Sequence, residues 1–247
     1  AATALLKEAL LPNLVQTLEN GPAFVHGGPF ANIAQGANSI MATKLALNLS
    51  DYVVTEAGFG FDLGAEKFFD IVCPYGKFCP SAVVLVATAR ALKMHGGVKK
   101  RDLSKPNPEA VAKGCPNLEK HIENIRKFGM RSVVAINRFV DDTDEEIQEI
   151  IKVCESHQIA YAVVDYWAQG GEGGMDLAEK VLAMIEKHQC HYQPLYDWNL
   201  PVKEKIEKVA KEIYGAEAVD YTTEAKSDLK TIEKFGYDKL PICIAKT

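Results

Sequence analysis

The 247-residue sequence has no G-x-x-x-x-G-K-[ST] loop, the stretch whose backbone amides and lysine cradle a nucleotide's phosphates. It has no C-x-x-C pair either. Of its six cysteines (Cys73, Cys79, Cys115, Cys154, Cys190 and Cys243) only the first two lie close together. With no His or Cys partners at ligand spacing, a zinc site is not expected. Scattered thiols in a chain of this size fit a reducing compartment, so a cytoplasmic protein is expected. No apolar run approaches the roughly 20 residues of a membrane-spanning helix. The first stretch, AATALLKEALLPNLVQ, carries Lys7 and Glu8 inside its apolar pattern, which marks an amphipathic helix rather than a secretory leader. Excess basic charge is also absent. The formal net charge is -5, and Lys99, Lys100 and Arg101 form the one tight basic cluster, read as a solvated loop. Nucleic acid and anionic membranes are therefore not expected partners. Internal repeats and low-complexity segments are missing as well.

What is present is an ordinary globular composition, 47% hydrophobic and 25% charged, with ample length for a sizeable core. Short apolar runs alternate with helical patterns. PAFVH (22–26), DYVVTE (51–56), SAVVLVAT (81–88), SVVAIN (132–137) and IAYAVVD (159–165) read as strands. Helices are expected near 38–49, 109–128, 144–154 and 175–187. Strands apolar on both faces and separated by helices predict an α/β fold, a mostly parallel sheet covered on both sides. Beyond Pro194 the pattern changes to two amphipathic helices, near 202–214 and 222–235, and a final apolar run, LPICIA. The expected organisation is one α/β region over 1–193 and a smaller, mainly helical lobe over 194–247.

In parallel sheets ligands gather at the carboxyl ends of the strands, which makes His26, Glu56, Thr88, Asn137 and Asp165 candidates. The loop after the first strand, HGGPFANIAQG, supplies His26, Gly27, Gly28, Phe30 and Asn32; its two glycines allow a close backbone approach to an anion. The bland reading of the same loop is a tight turn into a helix. Glu56 ends an apolar run in a carboxylate, the placement used to hold Mg²⁺ directly or through water. Asp62 is a weaker candidate that equally suits a helix start. Phe59 and Phe61 read as packing residues. Arg90, Lys93 and His95 follow the third strand as three potential cations for a phosphate or carboxylate. Asn137 can pair with an adenine edge or simply cap its turn. Phe139 and Trp167 follow the fourth and fifth strands; if those strands are neighbours, two large rings form a clamp for a flat heterocycle. Gly170, Gly171, Gly173 and Gly174 make the loop beside Trp167 flexible enough to close.

These residues carry a resemblance. LLPNLVQTLENGPAFVHGGPFANIAQGANSI, DYVVTEAGFGFDLGAEKFFDI, VATARALKMHGGVK, VVAINRF, WAQGGEGG, LYDWNLPVKEKIEKVAKEIYGA and LPICIAKT closely resemble, in order, the formate–tetrahydrofolate ligase family. The resemblance implies a P-loop nucleotide-hydrolase-like fold with added domains. It also implies an ATP-dependent ligation of formate to tetrahydrofolate, giving 10-formyltetrahydrofolate, ADP and phosphate through formyl phosphate. ATP, Mg²⁺ and tetrahydrofolate follow as ligands, with a monovalent cation and a homo-oligomeric state as further expectations. By the same resemblance Phe139 and Trp167 hold the pterin ring; from the residues themselves Glu56 is the candidate metal ligand and catalytic residue, and Asp62, Lys93 and His95 are weaker catalytic candidates. Asn137, Gly170, Gly171 and the 26–32 loop are binding candidates. Two positions depart from the family pattern: Gln35 stands where a histidine is usual, and Phe61 where an alanine is usual. The family pattern extends on both sides of these residues. The sequence is thus expected to be the middle of a longer enzyme, partnered by the remainder and unable to turn over ATP alone. A non-catalytic folate- or partner-binding module, or a ligase for another acid, are the alternatives.

Overall fold

The computed structural model describes residues 2–30, 33–187, 189 and 191–245. It divides into two compact units, one built from residues 1–78 and 194–247, the other from Cys79–Gln193.

In the first unit the N-terminal stretch forms only the single-turn helix α1 (Ala2–Leu5) and a 3₁₀ turn, Glu8–Leu10. The expected amphipathic helix stops at Leu11, which is extended, because the residue before Pro12 is sterically barred from the helical region. Strand β1 (Asn13–Gln16) then pairs antiparallel with β2 (Pro22–Val25). The expected first strand therefore exists but lies in a hairpin, not in the parallel sheet. The intervening Thr17–Gly21 turn explains this: Thr17 N–H donates to the Gly21 carbonyl at 2.8 Å, and Asn20 takes the left-handed conformation (φ 65°) that asparagine tolerates well. Helix α2 (Ile40–Leu49) follows.

The expected second strand, 51–56, does not form. Strands need a paired neighbour, and among the described residues none pairs with this segment, the isolated bridge Ala37 to Ala57 falling just beyond it; Val54 is 96% exposed. Residues 61–76 instead form an irregular helix, with π-type turns at Phe61–Ala65 and Phe68–Val72 before α3 (Cys73–Gly76). Phe61, Leu63, Phe68, Phe69 and Val72 are buried along it. Phe61 packs its ring 6.0 Å from that of Phe69. A Cβ on Gly64 would sit 2.1 Å from the Gly58 carbonyl oxygen, so only glycine fits that crossing.

The second unit opens with β3 (Val83–Ala87), then α4 (Ala89–His95) and α5 (Pro108–Lys127), β4 (Ser132–Asn137), α6 (Asp144–Ser156) and β5 (Ala160–Val164). The single-turn α7 (Tyr166–Gln169) leads to α8 (Met175–Lys187). The strands form a parallel sheet in the order β3-β4-β5. Between Ser132 and Asn137, central β4 is apolar and Val133–Ile136 are buried, as that run of apolar residues demands. Both crossovers step in the same direction, so right-handed connections put α5 and α6 on one face. Leu177 of α8 packs with Val133, Ala135, Ala162 and Val164 on the other.

The chain returns to the first unit with α9 (Val202–Lys208), a further π-type turn at Val209–Ile213, and α10 (Thr223–Lys234). The LPICIA run is not a strand. It is tied down because the Tyr196 hydroxyl accepts from Ile242 N at 3.1 Å, while buried Lys205 donates to the carbonyls of Asp238 and Leu240, each at 2.8 Å. No helix of the described residues is long and apolar enough to cross a membrane.

Candidate functional site

Two groups of candidate residues are assembled, one in each unit. The first lies where β3, β4 and β5 end. Asn137 is the last residue of β4 and pairs with Val164 of β5, so the two adjacent strands finish at the same rim. Past Asn137 the chain turns tightly: Phe139 N–H donates to Asp142 Oδ2 at 2.9 Å, and Asp142 N–H donates back to the Phe139 carbonyl at 3.0 Å. Arg138 is drawn off by Asp144 at 2.8 Å. Phe139 is left 37% exposed, with the Arg90 guanidinium 5.0 Å from its ring centre.

Past β5, Asp165 caps α7 by accepting from Ala168 N–H at 3.2 Å, and Trp167 stands 85% exposed on that turn. The glycines after it have packing reasons. Gly170 adopts φ 57°, ψ −140°, a region essentially confined to glycine, and a Cβ on Gly173 would meet the Asp165 carbonyl oxygen at 2.3 Å. Gly170 and Gly171 both lie in the 3₁₀ turn Gly170–Gly174. Thr88 and Asp165, flagged by the strand-end rule, both act as helix caps.

The three expected cations are not gathered. Arg90 stands in the first turn of α4, at the rim. Lys93 is fully buried; its ammonium pairs with Glu146 at 2.9 Å and donates to the Lys105 carbonyl at 3.3 Å. His95 is exposed at the far end of α4, about 10 Å along the axis from its start at 1.5 Å per residue. The helical period turns Lys93 onto the face toward the core, which a list of strand-end charges cannot show. Glu146 is fully engaged too. It completes the Thr143 capping box and accepts from Asn107 N–H at 2.8 Å. Burial alone would raise its pKa, but those backbone N–H groups and Lys93 outweigh that and hold the carboxyl below its ordinary value.

The second group lines a cavity of about 690 Å³ within the first unit. His26, Gly27, Gly28, Phe30 and Glu56 all contribute, with Asn38 and Thr55. Asn32 lies outside the described residues. The imidazole of His26 is already committed. Its Nε2–H donates to the Ala9 carbonyl at 2.8 Å, which leaves Nδ1 to accept from the Ser39 hydroxyl at 2.7 Å. Ser39 in turn caps α2 by accepting from Ala42 N–H. The ring thus braces the loop, and the loop's backbone and Glu56 face the cavity. Phe59, read as packing, is 95% exposed and lines this cavity, whereas Phe61 is buried. Asp62 is half-buried in the first turn of the irregular helix, and its carbonyl accepts from the Tyr214 hydroxyl at 3.0 Å.

Sequence reasoning missed Glu66 and Asp70. They lie four residues apart on the irregular helix, both fully buried. Asp70 Oδ1 accepts from Leu195 N–H at 2.6 Å, and its carbonyl accepts from Trp198 Nε1–H at 2.9 Å. No other donor reaches Asp70 Oδ2 or either carboxyl oxygen of Glu66. Burial, then the nearby Asp70, pushes Glu66 up to about 9; burial likewise raises Asp70 to about 7, against the pull of the Leu195 N–H. Burial of the two neighbouring acids thus favours the protonated form of Glu66 beside Asp70. The available signal was the AEKFFD pattern, which sets both acids among phenylalanines, although acids at i and i+4 ordinarily mark a solvated face.

Among the described residues no group of three or more His, Cys, Asp or Glu side chains is placed to hold a metal ion, and Cys73, Cys79, Cys115, Cys154 and Cys243 are free thiols. The family profile of formate–tetrahydrofolate ligase matches residues 1–247. A formate–tetrahydrofolate ligase from Syntrophus aciditrophicus (strain SB) is 59% identical over 247 residues, all of this chain and 44% of that protein. The chain thus spans less than half the length of this relative. With the whole sequence matched by one profile and identity at this level, the chain belongs to the formate–tetrahydrofolate ligase family.

Proposed function

We propose that this chain forms part of an enzyme that uses ATP to join formate to tetrahydrofolate, and that Phe139 and Trp167 hold the pterin. The observation that carries this reading is the pair of exposed rings following adjacent parallel strands at one rim, in a member of this family. Flat heterocycles are held by aromatic faces at such rims. Asn137, at the end of β4 two residues before Phe139, supplies an amide for a ring edge. The three parallel strands then belong to a sheet of the P-loop nucleotide-hydrolase type.

In the first unit the 26–30 loop offers backbone amides, and Glu56 a carboxylate, to the phosphates and metal of the nucleotide. The donor set fits Mg²⁺ as that ion is usually bound, by one or two carboxylates with phosphate and water completing the shell. When bound, Mg²⁺ neutralises charge on the transferring phosphoryl group. Formate oxygen attacks the γ-phosphorus and ADP leaves; the amine of tetrahydrofolate then attacks the formyl carbon and phosphate leaves. The contribution of Phe139 and Trp167 is to fix the folate that carries that amine, because a mixed anhydride is already reactive and positioning is what remains to be supplied. Lys93 and His26, engaged in internal bonds, position structure in this scheme instead of touching substrate. A homo-oligomer and a monovalent cation are part of the same family-based reading.

The test is Trp167→Ala in the intact protein, with tetrahydrofolate varied. Removing a large stacking surface raises the tetrahydrofolate KM on the order of tenfold or more. An unchanged KM ends the pterin assignment for this residue.

A further inference from the structure

Along the rim of the second unit, three side chains stand in the order of the strands that precede them. Arg90 follows β3, Phe139 follows β4 and Trp167 follows β5. Phe139 thus follows the central strand, with Arg90 after the strand on one side of it and Trp167 after the strand on the other. The guanidinium carbon of Arg90 lies 5.0 Å over the Phe139 ring. Its Nη2 is held by Asp141 Oδ2 at 3.4 Å, and Asp141 belongs to the turn that begins at Phe139. The same turn is pinned from within by the Phe139 N–H to Asp142 bond and from its far side by Arg138 to Asp144. An aromatic ring offers two faces, and a guanidinium plane stacks on one of them. With that face covered from the β3 side, the face toward β5 is the one open to a ligand.

We propose that Arg90 is a positioning residue for folate: with Asp141 as its anchor, it backs the Phe139 ring and presents the ring's free face toward Trp167. This rests on the pterin reading of Phe139 and Trp167. It separates Arg90 from Lys93 and His95, with which it was grouped as a phosphate-binding set, and assigns it to the organic ring. The physical gain is pre-organisation. A half-exposed phenylalanine must give up rotamer freedom when a heterocycle stacks on it, and a ring already fixed gives up less. The exposed Arg90–Asp141 pair would contribute little by itself; its role here is to keep the guanidinium over the ring.

The experiment is steady-state kinetics of the intact protein with each of the three substrates varied, for Arg90→Ala, Arg90→Lys, Asp141→Ala and Trp167→Ala. Arg90→Ala is expected to raise the tetrahydrofolate KM roughly two- to five-fold, the size of an exposed cation–π contact. The ATP and formate KM values should stay in place and kcat should change less than KM. Arg90→Lys keeps a cation for the ring and should recover part of the loss. Asp141→Ala, which leaves Arg90 in place without its anchor, should give a smaller shift of the same kind; it carries the test if Arg90→Ala does not fold. If Trp167→Ala raises the tetrahydrofolate KM while Arg90→Ala and Asp141→Ala do not, the inference fails and the pterin reading stands. If none of them moves it, both fail. A rise in the ATP or formate KM on loss of Arg90 would return that residue to the phosphate side and overturn the proposal.

Discussion

Each unit buries a pair of ionisable side chains, and the two pairs are built on opposite logic. In the second unit Lys93 and Glu146 carry opposite charges, and both carboxyl oxygens and the ammonium are engaged: by each other, by two backbone N–H groups and by a carbonyl. In the first unit Glu66 and Asp70 are both acids, and three of their four carboxyl oxygens find no donor outside the pair. A satisfied ion pair can remain charged in a dry interior, whereas two adjacent acids cannot both be charged there, so one keeps its proton. The lesson is that burial of a charged residue names no role until its partners are known. Lys93 is a strut between α4 and α6. Glu66 and Asp70 are a proton-sharing knot beneath the segment 195–198.

The contrast can be broken most severely at Lys93. Lys93→Met leaves Glu146 buried without its cation and is expected to cost about 3–5 kcal/mol in urea unfolding. Adding Glu146→Gln, which removes the stranded charge and keeps one acceptor oxygen for Asn107 or Thr143 but not both, should restore part of that. Failure of the second change to rescue the first would mean that packing, not charge, sets the cost.

The next largest effect is in the pH dependence, where the pairs act in opposite directions. The folded-state pKa of Glu146 is lowered, so its contribution is present above its ordinary value of 4.5 and is lost as pH falls through the lower folded value. The folded-state pKa values of Glu66 and Asp70 are raised. Unfolding therefore releases protons between about 4.5 and about 9 for Glu66, and the stability from this pair falls as pH rises across that window. The slope is at most about 1.4 kcal/mol per pH unit for each proton released. Glu66→Gln, neutral at every pH, should flatten the alkaline limb of a stability–pH curve and leave the acid limb as it was; an unchanged alkaline limb would disprove the proton-sharing account. The smallest effect belongs to a solvated pair. Lys113→Ala removes the exposed Lys113–Glu109 contact on α5 and should leave the urea midpoint unmoved.

Much of the second unit could be read directly from the chain. SVVAIN is apolar on both faces because β4 is the central strand, and the helix starts at Thr143 and Asn107 follow from capping chemistry that is local to a few residues. The condition set on the two rings, that the fourth and fifth strands be neighbours, is met by the sheet order. Reading failed where a residue's meaning depends on distant chain. PAFV was correctly an extended segment, but its partner is β1 across a local turn. DYVVTE has the composition of a strand and no neighbouring strand among the described residues to complete it. Phe59 and Phe61 are one residue type two positions apart, and one faces a cavity while the other is core.

The sequence by itself determined the family, the alternation of helix and parallel strand in the second unit, and the choice of Asn137, Phe139 and Trp167 as strand-end residues. These rest on periodicity and on short stretches of chain. Tertiary structure decided which charges are hidden, that Arg90 stacks on Phe139, that His26 is spent on Ser39 and Ala9, and that Asp70 meets Leu195. Those contacts join residues from 13 to 125 positions apart, and no local pattern encodes a partner that only the folded chain brings within reach.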